Sequence, residues 1–73
     1  MITIYSKPGC HKCKLTKDMI KRKGLDFNEI DITQDEDAAA LLASMGVMVL
    51  PYVVTDRDSW SDFRIDKLRG LTK

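Results

Sequence analysis

Short apolar runs alternate with amphipathic stretches along this chain. Ile2-Thr3-Ile4-Tyr5 is apolar and β-rich, and Ser6-Lys7-Pro8-Gly9 closes it with a turn, which predicts a buried strand. From about His11 to Lys23, Leu15, Met19 and Ile20 recur at helical spacing. Lys21, Arg22 and Lys23 crowd the last turn, where cations complement the helix dipole, and Gly24 supplies a stop. Leu25 to Ile32 predicts a second strand, with a change of phase between Phe27 and Ile30 that leaves its register open. Thr33-Gln34-Asp35-Glu36 fits a capping box with Thr33 as N-cap, followed by the strong helix formers Ala38 to Met45 and a terminating Gly46. Val47 to Leu50 is an apolar approach to Pro51. Tyr52 to Thr55 predicts a third strand, Asp56-Arg57-Asp58 a turn, and Ser59-Trp60-Ser61 a short fourth strand. Ile65, Leu68 and Leu71 fit a short closing helix.

The order is β-α-β-α-β-β-α, an α/β pattern. Its first crossover implies a parallel, right-handed βαβ unit and its last hairpin an antiparallel pair, giving a four-stranded mixed sheet with three helices. Leu15, Met19, Leu41, Leu42, Val53 and Leu68 are the expected core. The four methionines read as terminus and packing. Seventy-three residues suit one domain, 1–73, with a limited core and no repeat or linker.

Composition changes this picture little. The chain is 44% hydrophobic and 32% charged, as a globular protein is, and its net charge of +1 argues against nucleic acid held by bulk electrostatics. No apolar stretch approaches the roughly 20 residues that span a bilayer. Met1-Ile2-Thr3-Ile4 enters a strand directly, without the basic and apolar regions of a signal peptide, so a cytoplasmic location is expected, where thiols are kept reduced.

The chemistry lies in Cys10-His11-Lys12-Cys13, which holds the only two cysteines. A strand, a Pro-Gly turn and a C-x-x-C opening a helix is the context of a thiol–disulfide site. Residues at i and i+3 share a helix face about 5–6 Å apart, close to the Cα separation a disulfide needs. Cys10 at the helix N-terminus would have its thiolate favoured by the dipole and free N–H groups, which makes it the candidate nucleophile and Cys13 the resolving thiol. Lys7, His11, Lys12 and Lys14 add solvated positive charge nearby. A zinc site within one chain is short of ligands, since only one histidine accompanies the two cysteines, although two chains could share one. A purely structural disulfide would close too small a loop to stabilise much. Pro51 is the second landmark. It fits either a trans proline at a strand start or a cis bond that turns the Leu50 backbone toward the sulfurs.

Strand, C-x-x-C, helix, strand, helix, Pro51, hairpin and helix together resemble the thioredoxin fold in its minimal glutaredoxin-like form, over nearly the whole chain. That resemblance implies a cis Leu50–Pro51 bond facing the C-x-x-C. Trp60-Ser61-Asp62-Phe63-Arg64-Ile65-Asp66 resembles the W-S-G-F-R-P-[DE] signature of NrdH redoxins. Trp60, Ser61, Phe63, Arg64 and Asp66 match, while Asp62 replaces the glycine and Ile65 the proline. Ile4 to Cys10, with Lys7, Pro8 and Gly9, also fits, as do Thr16-Lys17 and Gly24.

NrdH redoxins take electrons from thioredoxin reductase and pass them to a class Ib ribonucleotide reductase. The resemblance therefore implies a monomeric dithiol carrier with no bound cofactor, a redox-active Cys10–Cys13 disulfide, and electrons that originate in NADPH. Leu50, Pro51 and the flanks of the C-x-x-C would meet the partner. Neither nucleic acid nor a membrane is implied. The Gly-Gly and acidic pair with which glutaredoxins hold glutathione is absent after the fourth strand, but Lys7 remains available to a glutathione carboxylate. A glutathione-dependent glutaredoxin is thus the alternative, and a C-x-x-C module holding zinc or an iron–sulfur cluster between two chains is the rival from another class.

Overall fold

In the computed structural model, which describes residues 1–71, the elements follow the expected order. They are β1 (Ile2–Ser6), α1 (His11–Arg22), β2 (Phe27–Asp31), α2 (Glu36–Ser44), β3 (Tyr52–Val54), β4 (Ser59–Ser61) and α3 (Ile65–Arg69). The strands form one mixed sheet in the order β2-β1-β3-β4. β1 pairs parallel with β2, Ile2 opposite Phe27, and antiparallel with β3, Ile4 opposite Val53. β3 and β4 close an antiparallel hairpin with Val53 opposite Trp60.

Strand alternation sends Ile2, Ile4, Val53 and Trp60 to one face, where Ile20 of α1 and Leu68 of α3 complete a buried cluster. Met19, Leu25, Phe27, Phe63 and Leu71 pack around its edge. Thr3, Tyr5, Tyr52 and Val54 point the other way and are only half-buried. Tyr5 and Tyr52 lie with ring centroids 6.0 Å apart. The Lys23 ammonium ties the ends of α1 and α3 together, donating to the Leu68 carbonyl at 2.7 Å and the Arg69 carbonyl at 2.8 Å, acceptors that the end of a helix leaves open.

Two expectations change and one open point is resolved. Leu15 and Leu41 are 37% and 48% exposed rather than core. The buried row of α1 runs through Cys13, Thr16 and Ile20, and at 100° per residue Leu15 falls on the far side of Cys13. The nine-residue α2 buries only Ala38 and Leu42, with Leu41 on its flank. Met19 is an edge residue of the cluster, whereas Leu42, Val53 and Leu68 are buried as expected. The cap of α2 is Asp35, not Thr33, because the Asp35 carboxylate accepts from the Ala38 N–H at 3.0 Å. Thr33 is occupied in an Asx turn, its N–H and hydroxyl donating to Asp31 at 2.8 and 2.6 Å. The open register of β2 resolves as ordinary alternation on an edge strand. Phe27 faces the core cluster, and Ile30 lies three positions on, on the opposite face.

Candidate functional site

β1 delivers the chain to an exposed Lys7-Pro8-Gly9 loop, in which Gly9 takes φ +75°, a left-handed conformation that glycine adopts without a Cβ clash. Cys10 follows as the N-cap of α1, with extended backbone angles. Its Sγ accepts the Cys13 N–H at 3.2 Å, so a sulfur fills the role that a serine or aspartate oxygen usually fills. Cys10 and Cys13 form a disulfide with Cα atoms 5.2 Å apart, inside the range such a bond needs.

The two cysteines differ in access. Cys10 is partly exposed, but Cys13 is 1% exposed and belongs to the buried row of α1. One turn on, the fully buried Thr16 donates its hydroxyl to the Lys12 carbonyl at 2.9 Å, which fastens the first turn to the helix interior.

An open cleft beside the sulfurs is lined by Lys7, Pro8 and Gly9 of the loop and His11 of the motif, with Lys14 and Lys17 of α1 and Glu29 of β2. Lys14 pairs with Asp18 at 3.0 Å and Lys17 with Glu29 at 2.7 Å. Lys17, and then the hydroxyl of the buried Ser6, hold the Glu29 carboxyl below the usual carboxylate range. Among the described residues no group of three or more His, Cys, Asp or Glu side chains is placed to hold a metal ion. Among the described residues no helix is long and apolar enough to cross a membrane.

The Leu50–Pro51 bond is cis, as the resemblance implied, with Pro51 buried and Leu50 half-buried. Before it, Met48 is 92% and Val49 42% exposed. The Trp60-to-Asp66 segment divides into two parts. Trp60 is 6% exposed and Phe63 packs against the same core, and the buried Trp60 Nε1 has no hydrogen-bond partner among the described residues, so the ring acts by apolar packing. Ser61 pairs with Tyr52 in the hairpin. Arg64 forms a two-pronged contact with Asp66 at 3.1 and 2.8 Å, and its carbonyl accepts from Leu68 N–H at 3.0 Å to start α3. Asp66 holds the Arg64 guanidinium more firmly protonated, and Arg64 lowers the Asp66 carboxyl. These residues anchor the last helix rather than line the cleft.

Asp62 joins the parts, a role the sequence reading did not give it. It takes φ +76°, the one positive value outside glycine among the described residues. Its N–H donates to the Pro51 carbonyl at 2.9 Å, its carboxylate accepts from the Phe63 N–H at 2.7 Å, and the same carboxylate meets the Lys12 ammonium at 2.8 Å. Lys12, then the Phe63 N–H, hold this carboxyl below its usual range. The signal was present, since an acidic residue stands where the resembled signature has glycine and a lysine stands inside the C-x-x-C. Only the fold shows that the two meet.

Comparison with known proteins agrees with this geometry. A glutaredoxin family model matches residues 2–60. The glutaredoxin-like protein NrdH of Escherichia coli is 37% identical over 70 residues, covering 96% of this chain and 86% of that protein. NrdH of Lactococcus lactis subsp. cremoris is 32% identical over 71 residues, covering 97% and 99%. The solved structure of the Escherichia coli NrdH-redoxin, described as having a thioredoxin-like activity profile, superposes with a TM-score of 0.94 at 36% identity, over 99% of this chain and 95% of that one. With a C-x-x-C disulfide at the mouth of a thioredoxin-like fold and near full-length similarity of this kind, the chain belongs to the glutaredoxin family as an NrdH-type thiol–disulfide oxidoreductase.

Proposed function

We propose that the chain is a cytoplasmic dithiol electron carrier in which Cys10 attacks and Cys13 resolves. The observation that supports this most is the asymmetry of the pair. Cys10 is accessible and its Sγ accepts a helix N–H, whereas Cys13 is almost fully buried behind it. A backbone donor and the positive end of α1 favour the thiolate, which is the attacking species.

In the reductive half-reaction the Cys10 thiolate attacks one sulfur of a target disulfide. A Cys10–target bond forms and the other target sulfur leaves as thiolate. Cys13, losing its proton, then attacks Cys10 Sγ. The intramolecular disulfide forms, the second target sulfur leaves, and two electrons have passed to the target, whose two thiolates take up the proton released by Cys13 and one from solvent. A flavin-dependent thioredoxin reductase using NADPH returns the pair to the dithiol, and a class Ib ribonucleotide reductase is the acceptor. Leu50 and Pro51, preceded by the exposed Met48 and Val49, receive the disulfide-bearing segment of the partner beside the C-x-x-C.

The first experiment follows NADPH oxidation with thioredoxin reductase, this protein and a disulfide acceptor, against a parallel arm of glutathione and glutathione reductase. Turnover confined to the thioredoxin reductase arm is expected, and turnover confined to glutathione would make the chain a glutathione-dependent glutaredoxin. Cys13→Ser is expected to accumulate a covalent complex through Cys10, visible on non-reducing gels. Equal trapping by Cys10→Ser would overturn the division of roles.

A further inference from the structure

Asp62 is an unusual residue at an unusual place. Its backbone angle belongs to the left-handed region, which side chains avoid unless, as with Asn and Asp, they bond locally. Asp62 does bond locally, to the Phe63 N–H. The same carboxylate reaches across to Lys12, the third residue of the Cys10–Cys13 motif, at 2.8 Å. The first turn of α1 carries no acidic residue of its own. Lys12 instead meets a carboxylate from a loop fifty residues later in the chain, anchored there by the Asp62 N–H on the Pro51 carbonyl.

We propose that Asp62 is a positioning residue for thiol–disulfide exchange, one that holds the Lys12 ammonium against the last loop and cancels its charge beside Cys10. This rests on the reading of Cys10 as the attacking thiol.

The other charges around the sulfurs define how much is at stake. On α1, Lys14 is neutralised by Asp18 and Lys17 by Glu29 of β2. Lys7 of the loop, His11 and Lys21 of α1, and Asp31 of β2 line the same cleft and form no ion pair among the described residues. On the last loop, Arg64 is paired with Asp66. Cancelling Lys12 therefore removes one of the few unopposed cations close to Cys10. A free ammonium there would favour the Cys10 thiolate, stabilise the dithiol form and make the pair a weaker reductant. With Asp62 in place the site keeps a more basic, more reducing Cys10.

The pair is about half-exposed on both sides, so its effect is screened and modest. Asp62→Asn suits the test. Asparagine tolerates the left-handed angle and its side-chain oxygen still accepts from the Phe63 N–H, so the loop is kept while the charge goes. The measurement is the pH profile of iodoacetamide alkylation of the reduced protein at low salt, in which the sulfur displaces iodide, with the labelled cysteine located by mass spectrometry. The redox equilibrium with glutathione is read in parallel.

Asp62→Asn is expected to alkylate Cys10 about twofold faster on the acidic limb of the profile, and to shift the equilibrium toward the dithiol. Lys12→Met is expected to move both in the opposite direction. The double variant, whose pair again sums to zero charge, returns close to wild type. The single-variant shifts fade in high salt. If Asp62→Asn changes stability but neither profile nor equilibrium, or if the double variant stays as displaced as a single one, the proposal fails while the role of Cys10 stands. If label appears first on Cys13, the proposal and the reading of Cys10 fall together.

Discussion

The N-termini of α1 and α2 solve the same problem differently. α2 is capped by the Asp35 carboxylate on the Ala38 N–H at 3.0 Å, and Glu36 and Asp37 place negative charge in its first turn. Both features suit the positive end of a helix. α1 is capped by the Cys10 sulfur on the Cys13 N–H at 3.2 Å, and its first turn holds His11 and Lys12 with no acid. By the rules that make α2 stable, α1 is poorly begun. With Cys10 as the attacking thiol, as proposed, the charge at the head of α1 has to change during exchange. A permanent carboxylate would satisfy the helix but occupy the place of the thiolate. Local rules are broken at a site where function requires it.

The most forceful way to break this comparison is to give α1 the start that α2 has. Cys10→Asp is expected to abolish disulfide reduction outright. Against the reduced wild type it should be as stable or more so, by about 0.5–1 kcal/mol, because a carboxylate cap replaces a weak sulfur acceptor. Urea melts in reductant and a disulfide-reduction assay measure the two halves. A loss of more than about 1 kcal/mol would mean that Cys10 contributes by packing and not as a cap.

The converse weakens α2. Asp35→Ala is expected to cost about 1 kcal/mol with exchange unchanged, while Thr33→Ala stays within about 0.5 kcal/mol, since its bonds serve the turn at Asp31 and not the helix. Equal costs at the two positions would restore the capping box expected from the sequence.

That exchange of caps shows where the sequence was legible. Element order, strand pairing and the C-x-x-C at a helix start follow from periodicity, turn residues and spacing, which are local signals. Thr33 and Asp35 are both good caps within one motif, and only the turn at Asp31 decides between them. Leu15 illustrates a second limit. Its apolar side chain at helical spacing predicts core, but the buried row is set by Cys13 and Thr16, one of them polar and satisfied within its own helix. The largest gap is the Lys12–Asp62 contact, because nothing local relates two residues fifty positions apart. Its two halves were each visible, as a lysine inside the motif and a departure from the resembled signature, and the closing hairpin brings them together.

Acid sharpens the comparison most gently. Three carboxylates around α1 are each matched to a lysine. Lys12, then the Phe63 N–H, lower the Asp62 carboxyl. Lys17, then Ser6, lower Glu29, and Lys14 lowers Asp18. A carboxyl held lower in the folded than in the unfolded chain binds its proton more readily after unfolding. Its contribution to stability is therefore complete above the unfolded value, about pH 4, and is lost as pH falls through the lower folded value. The urea midpoint is expected to stay level from pH 7 to pH 5 as far as these groups are concerned, and to decline below about pH 4. High salt should shrink the decline, because all three pairs lie at the surface. Asp62→Asn should shrink it too, by removing one titrating group while leaving the cap of α2 untouched. A decline as steep in Asp62→Asn as in wild type would show that the Lys12–Asp62 pair adds nothing to folding, and would leave the electrostatics of the Cys10–Cys13 motif as the only consequence of a carboxylate at that position.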